Sequence, residues 1–203
     1  EPVLGLILDR LFATVLLTST ALLFAVRGGD VASARALLVA GAEANDAMSD
    51  GMSALTLAAH SGHDGIGITL LERGANPNNI GVGYAALHAA VLRSELDLVE
   101  ALLAHGADPD IRLVKGTPLR RQTTDYNLPK TLVGATSYLL AAKFLEPEIM
   151  RALAAGGADV SLAMPDGTTA LLAAVGLGHR RGSRRGIAPI DVGGTPPTEG
   201  EIL

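Results

Sequence analysis

The sequence predicts an all-α protein built as a stack of helix-turn-helix repeats, and three observations carry the prediction. Gly-Ala recurs at Gly41-Ala42, Gly74-Ala75, Gly106-Ala107 and Gly157-Ala158, with spacings of 33, 32 and 51 residues, two of them within the period range of solenoid repeats. A second marker runs in phase: Leu22, Leu55, Leu87, Tyr138 and Leu171 are each followed three positions later by Ala25, Ala58, Ala90, Ala141 or Ala174. The 203 residues are 48% hydrophobic but only 3% aromatic. A single compact core usually takes much of its buried area from large rings, whereas Ala and Leu faces stacked between short helices need few.

Each element follows from local chemistry. The stretch Val3 to Leu17 is apolar but interrupted by Asp9 and Arg10, so it falls short of the roughly 18 apolar residues of a membrane span. It has no basic start or small-residue cleavage site, and the chain opens on Glu1, which leaves room for missing upstream sequence. Residues 1–18 are therefore expected to form an apolar helix covering the first repeat. Within a repeat, Ser53-Ala54-Leu55-Thr56-Leu57-Ala58-Ala59 reads as a first helix with a small-residue face, ended by Gly62-His63. The second helix runs to Leu37-Leu38, Leu70-Leu71, Leu102-Leu103 or the remnant Leu153-Ala154. The Gly that follows suits a left-handed residue, Asn45, Asn78 and Asp110 come next, and Asp50-Gly51 and Asp166-Gly167 read as tight turns. Such a unit cannot bury its apolar face alone, so neighbours must stack.

The run from Asp50-Gly51-Met52-Ser53-Ala54-Leu55 through Ala58-Ala59-His60-Ser61-Gly62-His63, followed by Leu70-Leu71-Glu72-Arg73-Gly74-Ala75-Asn76-Pro77-Asn78, resembles an ankyrin repeat. Five phased copies extend the resemblance over Ser19 to Val175. It implies an ankyrin-type solenoid whose first helices and protruding turns form a concave binding face. It also implies structural roles for the Gly62-His63 pair and for His88, which stands where the family places a backbone-bonding histidine. Thirteen Arg against three Lys, with abundant Ala and Gly, suggests a GC-rich, bacterial gene.

Two long irregular insertions break the period. The 51-residue spacing holds about 18 extra residues, assigned to a turn over 111–133 between the third and fourth repeats. Pro118 and Pro129 keep this segment from forming a helix, and loops beyond about 12 to 15 residues are commonly functional. It carries a net charge of +4, and Arg112, Lys115, Arg120, Arg121, Asp125, Tyr126 and Lys130 are the expected partner-binding residues, since Arg and Tyr are enriched at the energetic centres of interfaces. Residues 176–203 form the second departure. His179 with Arg180, Arg181, Arg184 and Arg185 adds another +4 among glycines, a candidate anion site because guanidinium forks grip oxyanions bidentately. Thr198, with Glu201 behind it, is expected to cap a truncated second helix of repeat five, leaving an uncapped apolar end open to self-association. Setting aside 111–133 and the arginine-rich stretch 176–186, each +4, leaves −13 on the remaining body, against −5 for the whole chain.

The absence of cysteine excludes disulfides, thiolate metal sites and cysteine nucleophiles. No G-x-S-x-G occurs, and Gly176-x-Gly178 lacks the strand and the third glycine of a dinucleotide site. His60 and His63 with Asp64 have weak metal-ligand spacing, and His105 precedes Gly106 at a helix end. The expected protein is a non-enzymatic scaffold without cofactor that binds another protein through its concave face and the 111–133 loop. Its acidic body argues against nucleic acid, it has no membrane span, and the cytoplasm is favoured over periplasm or secretion. The alternatives are a small-anion binder or hydrolase using the arginine-rich loops, and an architectural segment of a larger signalling or secreted protein.

Overall fold

The computed structural model describes residues 17–117 and 126–176. Helices there alternate in two layers. The first-helix layer comprises α1 (residues 17–28), α3 (Ala54–Ser61), α5 (Ala86–Arg93), α7 (Ser137–Phe144) and α9 (Ala170–Ala174); the second-helix layer comprises α2 (Val31–Val39), α4 (Asp64–Glu72), α6 (Leu96–Ala104) and α8 (Pro147–Ala155). α3 packs on α5, α5 on α7 and α7 on α9, while α2, α4, α6 and α8 pack in the same succession. No strand occurs among the described residues, only an isolated antiparallel bridge between Ala47 and Ser53. The chain is thus an all-α solenoid. The expected N-terminal helix boundary at residue 18 falls inside α1, and residues 1–16 lie outside the described residues.

The phased marker reads out as packing. Leu22, Leu55 and Leu87 are buried, and Ala58 and Ala90 with them. Tyr138 is half-buried against the core, and Leu171, in the last described repeat, is 74% exposed. Helix starts are capped in register: the hydroxyls of Ser53, Thr136 and Thr169 accept the N–H of Thr56, Leu139 and Leu172. Ala85, at the same position, has no such oxygen. There the bond runs the other way: the His88 ring Nδ1 reaches back and accepts the Ala85 N–H at 3.2 Å. First helices end on a left-handed residue. Gly62 adopts it without cost, but Ser94 (φ 61) and Leu145 (φ 58) occupy the same position with a side chain.

Hydrogen bonds locate the insertion more narrowly than the period does. Two ordinary hairpins close with two bonds: Met48 N–H to Met52 O and Gly51 N–H to Met48 O in one repeat, Met164 N–H to Thr168 O and Gly167 N–H to Met164 O in another. In the fourth repeat Leu113 N–H bonds to Ala135 O and Gly134 N–H to Leu113 O. Leu113 and Gly134 stand twenty-one residues apart where Met48 and Gly51 stand three apart. The extra eighteen residues therefore lie between Leu113 and Gly134, and Ile111 to Leu113 belong to the repeat itself.

A ladder of side-chain bonds joins successive turns. Asn45 donates to Gly74 O and accepts from Asn76 N–H; Asn78 donates to Gly106 O and accepts from Asp108 N–H. Asp110, in the next position, accepts from Asp159 N–H at 2.9 Å, but an ionised carboxylate has no donor to return. One rung of the ladder is half made.

Candidate functional site

The turns of two neighbouring repeats and the two stems of the insertion border a groove of about 860 Å³, lined by Asp50, Gly81, Val82, Val114, Lys115, Gly116, Thr117, Pro129, Lys130 and Val133. Glycine makes the close packing possible. A Cβ on Gly81 would collide with Gly51 O, one on Gly83 with the Lys115 Cβ, and one on Gly116 with Leu128 O. Gly83 O accepts both the Val114 and the Lys115 N–H, and Thr117 and Leu128 exchange two bonds, Thr117 N–H to Leu128 O and Leu128 N–H to Thr117 Oγ1. Leu113, Leu128 and Leu132 are buried beneath them. The stems are thus a fixed part of the fold. Lys115 and Lys130 stand exposed at the groove, as do Val114 and Val133, and the Asp50 carboxylate there already accepts the Met52 N–H.

The other expected partner-binding residues fall into three situations. Arg112 is committed within the fold: one guanidinium nitrogen donates to Gly134 O and to Ala163 O, both at 2.9 Å, tying the fourth-repeat turn to the fifth. Tyr126 is half-buried, its ring 3.9 Å under the Arg93 guanidinium of α5. Arg93 also donates to Ser61 O at 2.7 Å, so the second stem is pinned against the first-helix layer. Arg120, Arg121 and Asp125 lie outside the described residues, as do His179, Arg180, Arg181, Arg184 and Arg185 and the expected Thr198 cap.

The first helices do not offer one continuous open face. In α3 every residue from Ala54 to Ala59 is buried, and in α5 every residue from Ala86 to Leu92. The layer is open at α1, where Thr20, Leu23, Phe24 and Arg27 line a smaller groove of about 280 Å³ with the 47–49 turn and Leu57, and Phe24 is 76% exposed.

Sequence patterns do not reveal the charged cluster at the opposite end of the helices. Glu95 stands at the N-cap of α6 without a side-chain cap bond. Burial pushes its carboxyl up to about 7 against the opposing pull of Arg93, and nearby Asp64 adds to the rise. The only signal in the sequence is that Ser94-Glu95 and Leu145-Glu146 stand in the register of Gly62-His63; Ser94 in fact bonds to Glu146 at 2.6 Å. His88 is fully enclosed, and burial lowers its ring to about 4, while the Ala135 and Ile111 carbonyls that face it pull the other way. Nε2 closes no bond of normal geometry with either. His60 packs on Tyr84 with ring centroids 5.9 Å apart, and the His63 ring lies against Gly29. Among the described residues no group of three metal-ligating side chains comes together, and no helix is long and apolar enough to cross a membrane.

Comparison with known proteins agrees with this architecture. Residues 22–113 match a family model described as ankyrin repeats, in three copies. An ankyrin repeat protein of Acanthamoeba polyphaga mimivirus is 52% identical over 48 residues, which make up 23% of this chain and 12% of that protein. The aligned part is thus a small fraction of the relative's length.

Proposed function

Because the chain is an ankyrin-repeat protein, a class that serves as scaffolds for protein–protein interaction, we propose that it is a non-catalytic scaffold. It engages its partner through the basic 111–133 segment together with the part of the first-helix layer left open at α1. The observation that carries this reading is the contrast within the insertion: its stems are bonded into the stack through Leu113, Thr117 and Leu128, while Lys115 and Lys130 project from them into solvent. Preorganised stems lower the ordering cost of binding, and exposed cations on an otherwise acidic body steer acidic partners to one place.

A library of displayed protein fragments panned on the full chain tests this. Binders are expected to weaken as salt rises from about 50 to about 300 mM, because rim charges are screened, and to lose affinity to Lys115→Glu/Lys130→Glu. Recovered binders indifferent to both changes would refute the assignment.

A further inference from the structure

The groove at the turn edge has a chemistry that selects one kind of occupant. Its walls are Val82, Val114, Val133 and Pro129, its floor includes the glycine backbones of Gly81 and Gly116, and its two free cations are Lys115 and Lys130. The volume of about 860 Å³ falls in the range of sites that enclose a drug-sized ligand or a few residues of peptide. β-branched walls favour a small aliphatic side chain between them. Among the described lining residues two lysines outnumber one acid, Asp50, whose carboxylate accepts the Met52 N–H, so the rim carries a net positive charge. We propose that this groove binds an extended segment of a partner protein in which a small aliphatic side chain is flanked by acidic residues. The proposal rests on the scaffold reading and narrows it to a peptide class and a place.

The test uses the full chain, isotopically labelled, and three short synthetic peptides: Asp-Asp-Val-Asp-Asp, Asp-Asp-Gly-Asp-Asp and Lys-Lys-Val-Lys-Lys, each with blocked termini. A single-stranded oligothymidine serves as a fourth probe. The acidic valine peptide is expected to shift the amide resonances of Gly81, Val82, Lys115, Gly116 and Val133. It should bind about ten-fold more tightly than the glycine peptide, a difference of about 1.4 kcal/mol, and the basic peptide should not bind. Lys115→Glu/Lys130→Glu should weaken it about ten-fold or more while leaving the circular dichroism and the remaining amide spectrum unchanged, since both side chains are exposed.

Equal binding of the valine and glycine peptides would reduce the groove to a non-specific cation patch and overturn the proposal. So would tighter binding of the oligothymidine at the same amides. An absence of shifts in the groove would also overturn it, yet would leave the scaffold reading standing if a panned protein fragment still shifted α1 resonances; loss of both would bring down the two together.

Discussion

Replacing Glu95 with Gln should change how stability depends on pH, in a direction the structure dictates. Burial holds the Glu95 carboxyl at about 7 instead of 4.5. Between those values the folded protein retains a proton that the unfolded chain has released, so stability falls as pH rises through the window. The full shift corresponds to about 3.4 kcal/mol, but water reaches part of this side chain and screens it, which reduces the contribution to about 1–2 kcal/mol. His88 acts in the opposite sense. Its ring, held at about 4 instead of 6.5, refuses a proton that the unfolded chain accepts, so stability falls as pH drops from 6.5 toward 4, by up to about 3.4 kcal/mol for a fully enclosed group. The two slopes oppose each other between 4.5 and 6.5, and wild-type stability there should vary less than either group alone would cause. Glu95→Gln removes one slope and leaves the other. Urea unfolding at about pH 5 and about pH 7.5 should find the variant gaining about 1–2 kcal/mol over wild type at the higher pH relative to the lower. Taking the difference between the two pH values cancels any fixed cost of placing an amide there. An identical variant-minus-wild-type difference at both pH values would mean that Glu95 ionises in its ordinary range, and the reasoning from burial would fail.

Arg112→Ala should remove both charge-assisted bonds to Gly134 O and Ala163 O and lower stability by about 1–2 kcal/mol, with amide exchange rising first in the fourth and fifth repeats; Arg112→Lys should recover only part, because an ammonium lacks the planar fork. Leu145→Gly should relieve a left-handed residue whose side chain is 56% exposed and raise the thermal midpoint, with a gain of about 0.5–1 kcal/mol; a lower midpoint would show that the Leu145 contacts outweigh the backbone strain.

The repeat was legible because its signals are periodic and local. Gly41, Gly74, Gly106 and Gly157 all take positive φ, and Gly-Ala spacing alone locates them. The turn glycines Gly51 and Gly167 were legible from the preceding Asp, whereas Gly83 and Gly134, in the same register with φ of 93 and 92, follow Val82 and Val133 and give no such cue. Insertion length could be read from the broken period, but not its anchoring, which depends on pairing between Leu113 and Ala135 across twenty-one intervening residues. Charge counting gathered Arg112, Lys115, Tyr126 and Lys130 into one loop. It could not tell a guanidinium spent on two carbonyls, or a ring under Arg93, from lysines in open solvent, because those fates depend on contacts from other repeats. Half-buried Glu95 escaped for the same reason: its environment is assembled from α4, α5 and α6, and no single segment encodes it.

The half-made rung at Asp110 bears on how the stack would respond to force. Between the second and third turns, as between the first and second, a pulling load is shared by a donating and an accepting bond from one asparagine. At the third joint the Asp159 N–H to Asp110 bond bridges the turns at that position, and the Arg112 guanidinium adds a bond to Ala163 O across the same joint. In a solenoid whose units hold mainly to their nearest neighbours, the load that one asparagine carries at the other joints is divided here between two residues, so Arg112→Ala would make this joint the first to separate under a load drawn along the axis. In that variant the released length would include the eighteen extra residues between Leu113 and Gly134, and adding Asp110→Asn, by restoring a donor toward Gly157, would move the breaking point elsewhere.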